Sequence, residues 1–150
     1  MRDGELGRPY VDHLGFLCAS LGGENFDGRS FLGVFDDEEP SGWGEIYPSH
    51  TFHEIAMHYP MRVVCTRSHK LIWNIAHGLS YPFALDLWAR PTWQATYKRG
   101  PDGLYGKRAV KAFVERPAFE LYDLDADPAE VDNLARDPQR EELLAELKRK

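Results

Sequence analysis

The sequence predicts an α+β fold, a small antiparallel sheet packed by a C-terminal helix and preceded by a helix and strand of separate character. Three observations predict it. Residues 45–74 are rich in β-branched and aromatic residues with partial alternation and are broken by turn signals. A further apolar-alternating stretch, "FELYDL", returns at residues 119–124. The chain then closes on "QREELLAELKRK", where Leu143, Leu144 and Leu147 share one helical face, with acids early and bases late to suit the helix dipole.

Taken in order, "YVDHLGFLCASLGG" places Val11, Leu14, Leu17, Cys18 and Leu21 on one helical face that Gly22 and Gly23 terminate. "NFDGRSFLGVF" supplies a turn at Asp27-Gly28 and a short apolar run, and the acidic "DDEEPSGWG" reads as an exposed loop. "EIYPSHTFHEIAMHY" is extended up to Pro60. "MRVVCTR" and "LIWNI", joined by "SHK", form a β-hairpin. The stretch "SYPFALDLWARPTWQATYKRGPDGLYGKR", broken by prolines and glycines, is expected as a long structured loop with one helical turn. Asp137-Pro138 is an N-cap followed by proline at the first helical position. Residues 1–40 and 41–150 are the expected domains.

Composition excludes several functions. The 150 residues carry 18 Lys and Arg against 24 Asp and Glu, a formal net charge of −6, and no basic run, so neither nucleic acid nor an anionic membrane is an expected partner. No apolar run approaches transmembrane length, and "MRDGELGRPY" lacks the apolar core of a secretory signal. Cys18 and Cys65 belong to no C-x-x-C pattern, so their disulfide state stays open.

Three of the six histidines, His50, His53 and His58, fall within nine residues. The spacing does not suit a metal: "HEIAMH" puts His53 and His58 five apart, about 140° around a helix, whereas H-E-x-x-H needs four. The run Asp123, Asp125, Asp127 departs from a calcium loop, with Pro128 where glycine is required and Leu134 where a bidentate glutamate is required. "GRSFLG" is one residue too long for a nucleophile elbow around Ser30. The expectation is no metal site and no catalytic residue in this chain.

The block Glu120-Leu121-Tyr122-Asp123-Leu124, Asp127-Pro128, Glu130, Asn133-Leu134-Ala135 resembles the C-terminal signature of the sulfatase family. "MRVVCTRSHKLIWN" resembles the Arg-then-Lys hairpin that precedes it there. "VDHLGFLCASLG" and "FDGRSFL" resemble the end of the catalytic domain, with Gly15-Phe16 where Pro-Thr is usual. "SHTFHEIAMHYPMRVV" and "YPFALDLWARPTWQ" narrow the likeness to the heparan N-sulfatase subgroup.

The resemblance implies that residues 1–40 are a remnant of an alkaline-phosphatase-like α/β catalytic domain and that 41–150 are a sulfatase C-terminal domain. It implies a parent hydrolase of sulfated carbohydrate, sulfate ester or N-sulfate, whose formylglycine and calcium belong to a missing N-terminal catalytic domain. "CASLG" and "CTRSH" do not match the C-x-P-S-R that yields formylglycine, so the chain alone is expected to be inactive. His53 and Glu54 are expected to contact the substrate sugar, with Arg62 a candidate for its anionic groups. The alternative for this stretch is a polar strand at an interdomain seam, with Arg62 paired to a carboxylate. For the whole chain the alternative is a free-standing carbohydrate-binding or domain-complementing module without catalysis. The family is typically exported, periplasmic or lysosomal, and the location of this chain stays open.

Overall fold

A computed structural model describes residues 32–38, 40–53 and 57–150. The chain forms two compact units, Met1–Gly44 and Glu45–Lys150. In the first, Leu32–Phe35 make a 3₁₀ turn. A tight turn follows in which Trp43 N–H donates to Pro40 C=O at 3.2 Å, and Gly42 at φ 76° supplies the left-handed position that such a turn needs. The expected helix at 10–23 lies outside the described residues.

The second unit is built on an antiparallel sheet of β1 (Glu45–Ile46), β2 (Ser49–His53), β3 (Met57–Thr66), β4 (His69–Asn74) and β7 (Phe119–Asp123). β3 is the hub: β1 and β2 both pair along one side of it, β4 along the other, and β7 continues beyond β4. The predicted hairpin is β3–β4, and the Thr66 hydroxyl closes its turn by accepting from His69 N–H at 2.9 Å. The register of β2 on β3 shifts between His50 and Phe52, next to Pro60, which has no N–H to give the ladder.

Alternation sorts the sheet into two differently covered faces. On one, Val64, Leu71 and Leu121 stand in register across three strands. Leu147 of the terminal helix α4 (Glu141–Leu147) is buried against them, with Leu143 and Leu144 at the margin. Burying a leucine completely, as at Leu121, contributes about 2–3 kcal/mol. Asp137 caps as its sequence predicts, accepting from Gln139 N–H, but what it caps is a 3₁₀ turn (Pro138–Arg140) leading into α4.

The other face carries Tyr59, Ile72, Asn74, Glu120 and Tyr122, all buried. The segment between β4 and β7 covers it. Instead of a loop with one turn, this segment folds into α1 (Leu85–Trp88), α2 (Pro91–Tyr97), a ribbon of β5 (Leu104–Tyr105) and β6 (Arg108–Ala109), and α3 (Val110–Val114). Its prolines start elements as well as break them: Pro91 stands at the first turn of α2, where a missing N–H costs nothing. Trp93 is the hub of this segment, with Phe83, Tyr97, Tyr105 and Phe113 packed around its ring.

Candidate functional site

Of the three residues expected to meet substrate, the two described, His53 and Arg62, do not converge. His53 ends β2 opposite Met57 and is exposed. Arg62 pairs with Ser49 at the other end of the same ladder. Met57 and Arg62 are five positions apart on β3, about 16 Å at roughly 3.3 Å per residue. Glu54 lies outside the described residues. Of the neighbouring histidines, His50 turns its Nδ1 to the Tyr59 carbonyl at 2.9 Å, and His58 is exposed opposite Phe52.

Arg62 belongs instead to an open cleft of about 540 Å³ between the sheet and the end of α4. Register explains its floor: Arg62 stands opposite Trp73, and Trp73 opposite Phe119, so the three form a row across β3, β4 and β7. The Trp73 and Phe119 rings are nearly parallel, 17° apart with centroids at 6.3 Å, and Trp73 is 47% exposed. Lys148 holds its ammonium 3.8 Å from the Phe119 ring centroid, a cation–π contact. Lys150 is paired to Glu45 and Glu146. Arg62 donates through Nη1 to the Met61 carbonyl at 2.8 Å. Neither Arg62 nor Lys148 has a carboxylate partner among the described residues. Neither aromatic was singled out by sequence, because only strand register brings them together.

On the opposite face lies a second polar feature that sequence reasoning missed. Glu120, 1% exposed, receives Asn74 Nδ2 at 2.7 Å and the Tyr122 hydroxyl at 2.5 Å. Arg108 and Arg116 lie 3.4 and 3.7 Å from its two oxygens. Each guanidinium also faces an aromatic ring, Arg108 that of Phe113 and Arg116 that of Tyr81. A strand glutamate flanked on both sides by apolar residues, as in "FELY", was the available signal.

Burial, then the hydrogen bond to Glu120, pushes the Tyr122 hydroxyl well above the ordinary tyrosine range. A group raised on folding contributes stability that is complete below its unfolded value, near 10, and is lost as pH climbs toward its folded one. Stability is therefore expected to fall above about pH 10, and the gap between wild type and Tyr122→Phe to narrow there. Urea unfolding of both proteins from pH 8 to 11 checks this; a gap constant across that range contradicts it.

The signature block turns out to be a brace. Asp127 accepts from Val131 N–H at 2.5 Å and Asp132 N–H at 2.8 Å. Those backbone bonds, with Asp132 N–H foremost, hold its carboxyl below the usual range. Glu130, in the left-handed region at φ 53°, is ion-paired to Lys70 of the hairpin. Asn133 ties the free edge of β7, accepting from Leu121 N–H at 2.9 Å and donating to Phe119 C=O at 3.1 Å. Asp123 is likewise spent on the N–H groups of Ala126 and Asp125.

Calcium, which the resemblance implies, does not fit these residues: among those described, no group of three His, Cys, Asp or Glu side chains could hold a metal ion. Cys65 is a free thiol on β3, within 3.5 Å of the Thr66 carbonyl, and Cys18 lies outside the described residues.

The chain is 34% identical over 144 residues to human N-sulphoglucosamine sulphohydrolase, a match covering 93% of this chain and 27% of that protein. The chain is sulfatase-like. An ulvan-active sulfatase of Formosa agariphila is 27% identical to the sulfatase-like chain over 150 aligned residues, covering 93% of this chain and 24% of the relative. It thus spans about a quarter of the length of the curated relatives it matches. No protein-family model matches it. Among solved structures, a Bacteroides thetaiotaomicron protein assigned to the sulfatases shares the fold, with TM-score 0.53 at 18% identity over 91% of this chain and 22% of that one. The sheet-plus-helices architecture thus matches the fold of a part of that solved chain. Among the described residues no helix is long and apolar enough to cross a membrane.

Proposed function

We propose that this chain is the C-terminal region of a hydrolase that removes sulfate from sugars, as ester or N-sulfate, and that it shapes the substrate pocket and braces the fold without supplying the nucleophile. The match of nearly the whole chain to about a quarter of N-sulphoglucosamine sulphohydrolase carries this reading. The division into compact units after Gly44 supports a catalytic-domain remnant followed by a C-terminal domain. So does the exposure of Leu79, Leu85, Leu87, Leu104 and Tyr105, all on the segment between β4 and β7, large apolar side chains of the kind a partner domain covers. In this reading His53 and Glu54 hydrogen-bond the sugar, while formylglycine and calcium belong to the preceding catalytic domain. A free-standing carbohydrate-binding module is the second reading, favoured by the open cleft beside Trp73.

Translating the DNA upstream of the Met1 codon separates the two. An in-frame continuation containing C-x-P-S-R is the expected result, and a stop codon with its own promoter leaves the binding module. In the complete enzyme, His53→Ala and Glu54→Ala are expected to lower kcat/KM on a sulfated glucosamine at least about tenfold with little change in Tm. Parallel losses of turnover and Tm would remove the pocket role.

A further inference from the structure

The cleft beside Trp73 has no part in the contacts assigned to His53 and Glu54. We propose that it is an accessory site for a sulfated sugar unit, distinct from the unit engaged at His53, so that the protein grips a sulfated saccharide at two places. The identity of the occupant as a sugar rests on the sulfatase-like reading; the anion-binding character of the cleft does not.

Four features select this ligand. The cleft, about 540 Å³, lies in the size range of small-ligand sites. Its floor is apolar: Trp73, stacked beside Phe119, is exposed, and an indole is complementary to the C–H face of a pyranose ring. Arg62 stands beside Trp73 in the same cross-strand row and bonds the His50 and Met61 carbonyls through Nη1, with no hydrogen bond from Nε or Nη2 among the described residues. Those two nitrogens form the edge of the guanidinium fork that grips a sulfate oxygen pair. Lys148 supplies a second positive charge beside Phe119, while Lys150 is already neutralised by two glutamates. Two unmatched cations around an aromatic floor are notable in a chain of net charge −6, where bulk electrostatics repel polyanions and local complementarity must decide.

The test uses the full 150-residue chain. Titration calorimetry with a heparin-derived tetrasaccharide, its fully desulfated counterpart and a hexaglutamate peptide distinguishes the occupants. The sulfated probe is expected to bind at least about tenfold more tightly than the other two, and to weaken as salt rises from 50 to about 500 mM. Arg62→Gln and Lys148→Gln, both on exposed side chains, are each expected to weaken it about fivefold or more, as is Trp73→Ala. Trp73→Phe, which keeps an aromatic floor, retains most of the affinity, and Lys111→Gln, which removes an exposed charge on α3 away from the cleft, leaves it unchanged. Absence of binding, equal affinity for the desulfated sugar, or indifference to both charge substitutions overturns the proposal. Equal affinity for hexaglutamate makes the cleft an acidic-peptide surface instead. Failure here leaves the dependence of turnover on His53 untouched, whereas an upstream stop codon removes the sulfatase reading and leaves this binding measurement standing.

Discussion

Glu120→Ala is expected to cost about 3–5 kcal/mol of stability, read as a lower urea midpoint with the fold otherwise monitored by circular dichroism. The carboxylate is the shared acceptor around which Arg108, Arg116, Asn74 and Tyr122 are arranged. Removing it leaves two guanidiniums, each only 16–17% exposed, without their counter-ion. It also strips the Tyr122 hydroxyl and the Asn74 amide of an acceptor, and an orphaned buried donor costs about 1–3 kcal/mol. Glu120→Gln keeps the volume and an acceptor oxygen but not the charge, so it is expected to fall between the two. A loss below about 1 kcal/mol for Glu120→Ala would mean that both arginines reach water by a small side-chain movement and that the cluster is not buried in the energetic sense. Buried ion pairs often break even against hydrophobic replacements, and it is the half-emptied pair that is costly.

Asn133→Ala is the second large effect, about 2–3 kcal/mol by the same assay. Its side-chain amide does what a neighbouring strand would do for β7, taking the Leu121 N–H and giving to the Phe119 carbonyl. The same oxygen caps the 3₁₀ turn at Leu134–Arg136 through Ala135 N–H. Alanine loses the cap and leaves the N–H of a fully buried residue unmatched. Asn133→Asp keeps both acceptances and loses only the donation, so about 1 kcal/mol is expected. If the two substitutions cost the same, the donation to Phe119 is the dominant bond and the capping account fails.

The resemblance-bearing block and the sheet were legible for different reasons. The β3–β4 hairpin could be read because both strands are short apolar runs joined locally, and α4 because its three leucines share a face. The segment between β4 and β7 was under-read as loop because its helices are four to seven residues long. Pieces that short hold too few turns for a helical period to emerge, and tertiary packing on Trp93 decides their shape. Arg62 was singled out as a candidate for anionic groups, but its neighbours in the cleft were not, since Trp73, Phe119 and Lys148 come from three separate elements. The Glu120 cluster was hidden in the same way. Its members reside on β4, β6, β7 and the stretch after α3, and nothing local announces that they meet. The histidine run was locally conspicuous, yet His50 turns to the Tyr59 carbonyl while His53 and His58 are exposed at successive ladder positions, a shared composition without a shared direction.

The neighbouring strands β4 and β7 are separated in the chain by the whole segment 75–118. That arrangement has a kinetic meaning. A hairpin such as β3–β4 closes on a microsecond scale, whereas bringing β7 home must first overcome the closure entropy of the long intervening segment. The sheet is therefore expected to grow outward from its hairpin, with β7 arriving late and carrying Glu120 under the two arginines as it docks. Charges matched only at that final step contribute little to the speed of assembly. Their contribution goes to the barrier for leaving, so the cluster acts as a latch on the finished protein and governs how long it stays folded.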